Sequence, residues 1–290
     1  MSRLSTVPAP VLVLAGIVSV QFGGALAATL IPEIGAGGSV VMRLLFATVI
    51  LVAAVRPRWR GHSPRAWRTV VAFGLALGLM NFTFYGSLAH LPIGVAVTIE
   101  FLGPLLLAAA LSRRVVDLLA VLAAAVGVLL ISEALSVPFA ELDWTGLGLA
   151  ATAGTCWAAY IILSGRTGAE FDKLEGLAIA MVVATVMTLP FGIASVPDWD
   201  GGLVAKGLGI AVLSSVLPYS LELVALRRMT ARVFGILLSL EPAVAALAGL
   251  VILDQVLHGS QLLGMGLVVL ASAIVIGLGA RKDPAESTGS

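Results

Sequence analysis

Charge is what this sequence has least of. Only 11% of its 290 residues are charged, 59% are apolar, and the mean hydropathy is +1.08. A soluble domain carries roughly 25% charged residues, so this chain cannot build a water-facing surface. The composition therefore predicts a helical integral membrane protein surrounded by lipid. A net charge of +1 gives no reason to expect a nucleic-acid partner.

Cysteine and histidine are also scarce. The single cysteine, Cys156, excludes an intrachain disulfide and lies within an apolar run. The three histidines, His62, His90 and His258, lie far apart in predicted loops and lack the spacing of metal ligands. We therefore expect neither a metal ion nor another cofactor.

Apolar runs long enough to cross ~30 Å of hydrocarbon recur along the whole chain. The predicted spans are 10–30, 37–55, 69–88, 94–111, 117–135, 146–164, 174–194, 205–226, 233–253 and 261–280. The run after Arg3 is too long for the apolar region of a signal peptide, so it is expected to remain as the first helix.

The distribution of Lys and Arg predicts the orientation. With the N-terminus in the cytoplasm, ten spans place every Lys and Arg on the inner side except Arg43, inside helix 2, and Lys206, at the outer end of helix 8. One missing span would reverse every later loop and destroy this partition. We therefore expect short cytoplasmic tails at 1–9 and 281–290.

A weak internal similarity favours two inverted repeats. Gly103-Pro104-Leu105 and Glu241-Pro242-Ala243 lie 138 residues apart, close to half the chain. A second unit of five helices returns with the opposite orientation, which is a common plan among secondary transporters. The predicted repeats are 10–135 and 146–280.

Four charges fall inside predicted spans rather than within three residues of their ends: Arg43, Glu100, Glu222 and Glu241. Each costs on the order of 2.5–3.5 kcal/mol at a helix centre on insertion scales, so such residues normally face a cavity or each other. Arg43 and Glu100 lie at a similar depth, ~9 Å from the outer edge, which suggests an ion pair. The alternatives for Glu222 are a structural salt bridge or an interfacial position, and Glu133 is expected at the interface.

Polar and small residues share helix faces with these charges. Helix 3 combines Gly74 and Gly78 with polar residues, helix 8 carries Ser215 and Pro218 on the same face as Glu222, and helix 9 aligns Glu241 with small residues. The predicted substrate-binding residues are Arg43, Asn81, Tyr85, Glu100, Trp157, Tyr160, Tyr219, Glu222 and Glu241. Small-residue stripes also serve helix packing, so this assignment is an expectation.

Several short segments resemble the EamA-type drug/metabolite transporter superfamily and, within it, the bacterial threonine/homoserine exporter family. The segments are Met80-Asn81-Phe82, Glu100-Phe101-Leu102-Gly103-Pro104, Ser112-Arg113-Arg114 with Asp117, Cys156-Trp157-Ala158, Leu217-Pro218-Tyr219-Ser220-Leu221-Glu222 and Glu241-Pro242-Ala243. The resemblance implies a ten-helix fold in the bacterial inner membrane and export of small amino acids. One departure is Leu253-Asp254, where superfamily members often have Gly-Glu.

The residues themselves suit an amino-acid carrier. Acids can replace water around the substrate ammonium, and Arg43, Asn81 or a Tyr hydroxyl can do so for the carboxylate. Our hypothesis is alternating access, with Glu100 or Glu241 exchanging a proton against substrate. Proton coupling rests on residue type only, and a facilitator without coupling remains open.

Two rival functions receive less support. An exporter of lipophilic cations or drugs is expected to have one dominant acid in an aromatic cage, whereas this sequence has Arg43 and only 6% aromatic residues. A membrane enzyme would need a nucleophilic or metal-binding constellation, which we do not find in the sequence. The chain is therefore expected not to be an enzyme, and export of another metabolite stays open.

Overall fold

The computed structural model describes residues 7–132, 134–136, 138, 142–253 and 258–280. The expectations for Glu133, for Asp254 and for the tail 281–290 lie outside these residues. So does most of the tail 1–9.

The described part of the chain is all-helical and contains ten helices, two of them interrupted. They are α1 Ala9–Ala28, α2 Ile31–Val55, α3 Pro64–Ser87, α4 Ile93–Ala110, α5 Val115–Ile131, α6 Trp144–Glu170, α7 Glu175–Thr188, the pair α8 Gly201–Ala211 and α9 Leu217–Leu226, the pair α10 Ala231–Leu238 and α11 Glu241–Leu253, and α12 Gly259–Ala280. Each predicted span overlaps one of these helices, so the helix count is confirmed.

Five helices are long and apolar enough to cross a membrane by themselves: Ile31–Val55, Pro64–Ser87, Trp144–Glu170, Gly201–Leu226 and Gly259–Ile276. Four further described stretches are shorter apolar helices: Ala9–Gly24, Gly94–Ala110, Val115–Ile131 and Glu175–Phe191. Capping residues fix several helix starts, since the side chains of Ser63, Asp143, Asp200 and Thr230 accept hydrogen bonds from the first turns of α3, α6, α8 and α10.

Two interruptions were not predicted from the sequence. A π-helical turn, Val212–Val216, connects α8 to α9 without breaking the helix. A turn at Ser239 and Leu240 separates α10 from α11, so Glu241 and Pro242 form the first turn of a new helix. Proline is tolerated there because the first backbone N–H groups of a helix have no partner within it. In addition, Gly35 adopts φ +72° near the start of α2 and kinks that helix.

The connections lie at two ends with different charge. Arg58, in the α2–α3 connection, bonds Asp172 and Glu175 near the start of α7. Arg232, on α10, bonds Asp117 on α5. We call this end, with the connections α2–α3, α4–α5, α6–α7 and α9–α10, the basic end. The other end, where Lys206 pairs with Glu33, is called the opposite end.

Glycines set the closest helix contacts. A Cβ atom on Gly103 of α4 would collide with the carbonyl of Gly154 on α6, and one on Gly154 would meet the carbonyl of Glu100. The backbones of these helices therefore touch beside Glu100. Gly74 and Gly78 allow the same approach of α3 to α7, as small residues commonly do in membrane bundles.

Candidate functional site

A central cavity of about 540 Å³ lies between the helices in the interior of the bundle. Its lining includes Val20, Gln21, Gly24, Arg43, Met80, Asn81, Phe84, Tyr85, Gly94, Val97, Glu100, Phe101, Ile131, Ser132, Trp157, Ser214, Tyr219, Glu222, Glu241, Pro242, Ala245, Ala246 and Gln261. Gly94, Ile131 and Gln261 lie within three residues of helix ends at the opposite end. The cavity therefore extends from the bundle interior toward the opposite end.

Arg43 is the cation of the cavity and is only 6% exposed. Its guanidinium donates one hydrogen bond to Asn81 Oδ1 and another to Tyr85 Oη at 3.2 Å. Asn81 Nδ2 in turn donates to Tyr219 Oη at 3.1 Å. Arg43 Nε is buried without a hydrogen-bond partner. The guanidinium is therefore held in place by neutral groups, and no carboxylate of the described residues contacts it directly.

The suggested ion pair between Arg43 and Glu100 is absent. Both side chains line the cavity, but no ion pair joins them among the described residues. Equal depth fixes only the height of a residue along the membrane normal. It does not fix which neighbours surround its helix, and here Arg43 turns toward α3.

Three carboxyl groups line the same cavity. Glu222 accepts a hydrogen bond from Tyr160 Oη at 2.7 Å. Glu241 lies in the first turn of α11, and Glu100 lies on α4 where the backbone of Gly154 packs against it. One arginine and three acids thus face a space that can admit a small solute.

Eight of the nine predicted site residues line the cavity, and Tyr160 does not. Tyr160 is fully buried behind the wall, where its ring contacts Tyr219 at 5.6 Å and Phe73 at 5.4 Å between centroids. Its hydroxyl is linked to the site through the hydrogen bond that it donates to Glu222. That these residues bind substrate stays a prediction.

The predicted face of helix 8 is shifted by one residue. Ser215 does not line the cavity, whereas Ser214 does. The π-helical turn explains this difference, because it places residues five apart, rather than four, on one face. Counting back five from Tyr219 gives Ser214. Pro218 packs against Gly16 of α1 instead.

The other stripes serve both packing and the cavity. Gly74 and Gly78 contact α7, while Asn81 and Tyr85, farther along the same helix, line the cavity. On α11, Ala245 lines the cavity, while the side chains of residues 248 and 249 lie outside what the structure describes.

Sequence reasoning missed several cavity residues, among them Phe101 and the polar residues Gln21, Ser132, Ser214 and Gln261. Gln21 had a usable signal, since it is an uncharged polar side chain within the first apolar run. Ser214 had none, because the π-helical turn is not visible in the apolar pattern. Within the described residues, no cluster of three or more His, Cys, Asp or Glu side chains could hold a metal ion.

The basic end is closed by contacts between distant segments. Besides the pairs of Arg58 and Arg232, the guanidinium of Arg227 donates to the backbone carbonyls of Gly168 and Phe171 at 2.7 and 2.8 Å. Arg228 donates to the Val7 carbonyl at 3.1 Å. These bonds connect α9 to the end of α6 and to the start of the chain.

Comparison with known proteins agrees with this architecture. Residues 144–277 match the EamA-like transporter family. The chain is 40% identical over 267 residues to the threonine/homoserine exporter RhtA of Salmonella typhimurium (strain LT2), covering 91% of this chain and 90% of that protein. It is also 40% identical over 265 residues to RhtA of Escherichia coli (strain K12), covering 90% and 89%.

More distant similarity extends to other proteins. Protein PecM of Dickeya dadantii is 28% identical over 221 residues, covering 72% of this chain and 73% of PecM. A protein of known crystal structure superposes with a TM-score of 0.77 at 18% identity, over 94% of this chain and 99% of that chain. That likeness concerns the fold alone.

A helical bundle with long apolar helices and a charged central cavity is a multi-pass membrane transporter rather than an enzyme. The extent of its identity to the RhtA proteins decides the family. The chain belongs to the EamA-like transporter family.

Proposed function

We propose that this protein is a secondary exporter of small, threonine- or homoserine-like amino acids in the bacterial inner membrane. The observation that carries the proposal is a cavity lined by one buried arginine and three glutamates. A zwitterion needs partners for both of its charges when it leaves water. The similarity to the RhtA exporters supports the same substrate class.

Arg43 is the proposed carboxylate partner. Its guanidinium has five N–H donors, of which Asn81 and Tyr85 engage two, and Nε is unpartnered. A carboxylate can accept two parallel bonds from such a fork. The substrate ammonium then pairs with Glu100, Glu222 or Glu241. We further propose that an acid which does not bind the ammonium, Glu100 or Glu241, carries a proton in the opposite direction.

We propose that all ten helices cross the membrane as two inverted repeats. Thr48 and Thr185, 137 residues apart, bond each other at 2.8 Å, and Asn81 bonds Tyr219, 138 residues along. Gly127 and Gly264 also pack backbone to backbone at this interval. A residue that touches its own counterpart lies near the axis relating two halves, so these contacts support repeats at 10–135 and 146–280.

The helix pairings support the same relation. α3 packs against α6 and α7. If the two repeats are offset by five spans, α3 corresponds to the α8–α9 helix, α6 to α1 and α7 to α2. The α8–α9 helix should then pack against α1 and α2, and both of these pairings occur. Alternating access would then follow from rocking of one half against the other.

We place the basic end, and with it both termini, in the cytoplasm, since Lys and Arg concentrate in cytoplasmic loops. The cavity then faces the outside of the cell. This orientation corresponds to a carrier that has released its cargo, with the cytoplasmic end closed.

Efflux from liposomes tests the proposal. Purified protein is reconstituted into liposomes loaded with radiolabelled threonine, homoserine or other amino acids, and efflux is followed with and without a pH gradient. We expect threonine and homoserine to leave fastest, and faster with the gradient if a proton is exchanged. Release of a lipophilic cation with no amino-acid efflux would establish the rival function.

A further inference from the structure

Gln21 is a cavity residue without a hydrogen-bond partner in the described part of the chain. It lies on α1, lines the cavity and is partly buried. No side chain or backbone group among the described residues bonds its amide. An amide offers two donors and an acceptor, so a polar group in the cavity can bond it without displacing an existing contact.

The other amide and hydroxyl groups on the wall are engaged or enclosed. Asn81, Tyr85 and Tyr219 bond within the network of Arg43. Ser132 bonds Thr98 at 2.5 Å. Gln261 Oε1 accepts from the His258 backbone at 2.9 Å, and its Nε2 donates to the Ile131 carbonyl at 3.4 Å. The Ser214 hydroxyl is unpartnered but buried against Gly23.

Neighbouring contacts fix the backbone of α1 beside Gln21. Two residues before Gln21, the hydroxyl of Ser19 donates a hydrogen bond to the Leu213 carbonyl at 2.7 Å. Two residues after it, Gly23 lies so close to Ser214 that a Cβ atom would collide. These contacts anchor the backbone of α1 on the π-helical turn on both sides of Gln21, and so fix the point from which its side chain enters the cavity.

We propose that Gln21 is a specificity-determining residue that binds the side-chain hydroxyl of the substrate. This inference rests on the proposed function, in which Arg43 and the glutamates bind the two charges common to all amino acids. Those charged groups cannot distinguish threonine from valine, which has nearly the same shape. A neutral amide can, because a hydroxyl is both a donor and an acceptor.

The test compares efflux of threonine with that of valine, and of homoserine with that of norvaline, from proteoliposomes. The variants are Gln21→Met, which removes the amide at similar size, and Gln261→Met, which removes an amide that is already engaged. We expect the threonine-to-valine ratio to fall about three- to tenfold in Gln21→Met, the effect of one net hydrogen bond. Gln261→Met should leave the ratio unchanged.

The outcomes separate the two proposals. A wild-type protein that exports threonine and valine equally, or a Gln21→Met variant with the wild-type ratio, overturns the role of Gln21 and leaves amino-acid export intact. A wild-type protein that exports no amino acid overturns both. If Gln21→Met has a low thermal midpoint in detergent, the threonine-to-valine ratio is measured for Gln21→Leu as well. A loss of folded protein lowers both efflux rates equally and therefore does not change their ratio.

Discussion

The two ends of the bundle differ in how they are held. At the basic end, Asp117 is 2% exposed and pairs with Arg232, which joins α5 to α10. At the opposite end, Lys206 and Glu33 pair while 39% and 43% exposed, and the cavity approaches this end. A buried pair is costly to break, whereas an exposed pair contributes little. The difference indicates that the basic end is the firmly closed one.

The largest expected effect comes from the cavity itself. Replacing Arg43 with Gln removes the proposed carboxylate partner, and we expect threonine efflux to fall roughly 30- to 1,000-fold, as for loss of a buried charged partner. Arg43→Lys keeps the charge but not the fork, so an intermediate loss is expected. Efflux in proteoliposomes and thermal stability in detergent are the measurements.

The double variant Arg43→Gln with Glu100→Gln sharpens this result. Because the structure does not pair the two side chains, neutralising both should not restore transport. A double variant with wild-type efflux would contradict the assignment of Arg43 and show that the two charges only brace the bundle.

Breaking the basic end should destabilise the protein asymmetrically. Arg232→Gln leaves the Asp117 carboxylate buried without its partner, so we expect a loss of about 3–5 kcal/mol. Asp117→Asn leaves Arg232, which is 27% exposed and can reach solvent, so a smaller loss is expected. Unfolding in detergent measures both.

Arg228→Gln is the matched control for charge at this end, since Arg228 bonds only a backbone carbonyl in the described structure. An Asp117→Asn variant less stable than Arg232→Gln would contradict the account. So would an Arg228→Gln variant as unstable as Arg232→Gln.

The opposite end should tolerate the loss of its pair. Lys206→Ala removes an exposed ion pair, so we expect a change in stability below about 1 kcal/mol. Threonine efflux should stay within about twofold of wild type, because the pair lies apart from the cavity lining. A loss of efflux as large as that of Arg43→Gln would show that this pair closes the cavity.

The smallest effect concerns Asp143 at the same end. The backbone N–H groups of Thr145 and Gly146 hold the pKa of this carboxyl group below its usual value. Its contribution to stability is therefore present at neutral pH and lost as pH falls below about 4. Asp143→Ala should lower the thermal midpoint slightly at pH 7 and by less at pH 3. Asp143→Asn, which keeps a capping oxygen without the charge, should lie between Asp143→Ala and wild type at pH 7 and close to wild type at pH 3.

The comparison also shows how far the sequence alone could go. Apolar runs bounded by Arg-rich breaks predicted every helix, because hydrocarbon thickness and the cost of burying charge act on local stretches of chain. The same cost identified Arg43, Glu100, Glu222 and Glu241 as cavity residues. Their placement on the wall follows from the expense of facing lipid.

What the sequence could not provide depends on contacts between helices. Arg43 bonds Asn81 and Tyr85 rather than Glu100, since the rotation of α2 against its neighbours is set by packing. The π-helical turn before Tyr219 and the break before Glu241 leave no mark in hydropathy. The Asp117–Arg232 pair joins residues that are 115 positions apart, and the sequence around either residue does not indicate which residue it pairs with.

Protection of an engineered cysteine tests the central claim most directly. In a Cys156→Ala background, Ala245→Cys places one thiol on the cavity wall, and a membrane-impermeant thiol reagent is applied to each side of oriented vesicles. We predict labelling from the outside, slowed by threonine, with the protection lost in Arg43→Gln. Labelling from the cytoplasmic side alone, or at a rate that threonine never changes, would contradict an amino-acid site open at the opposite end.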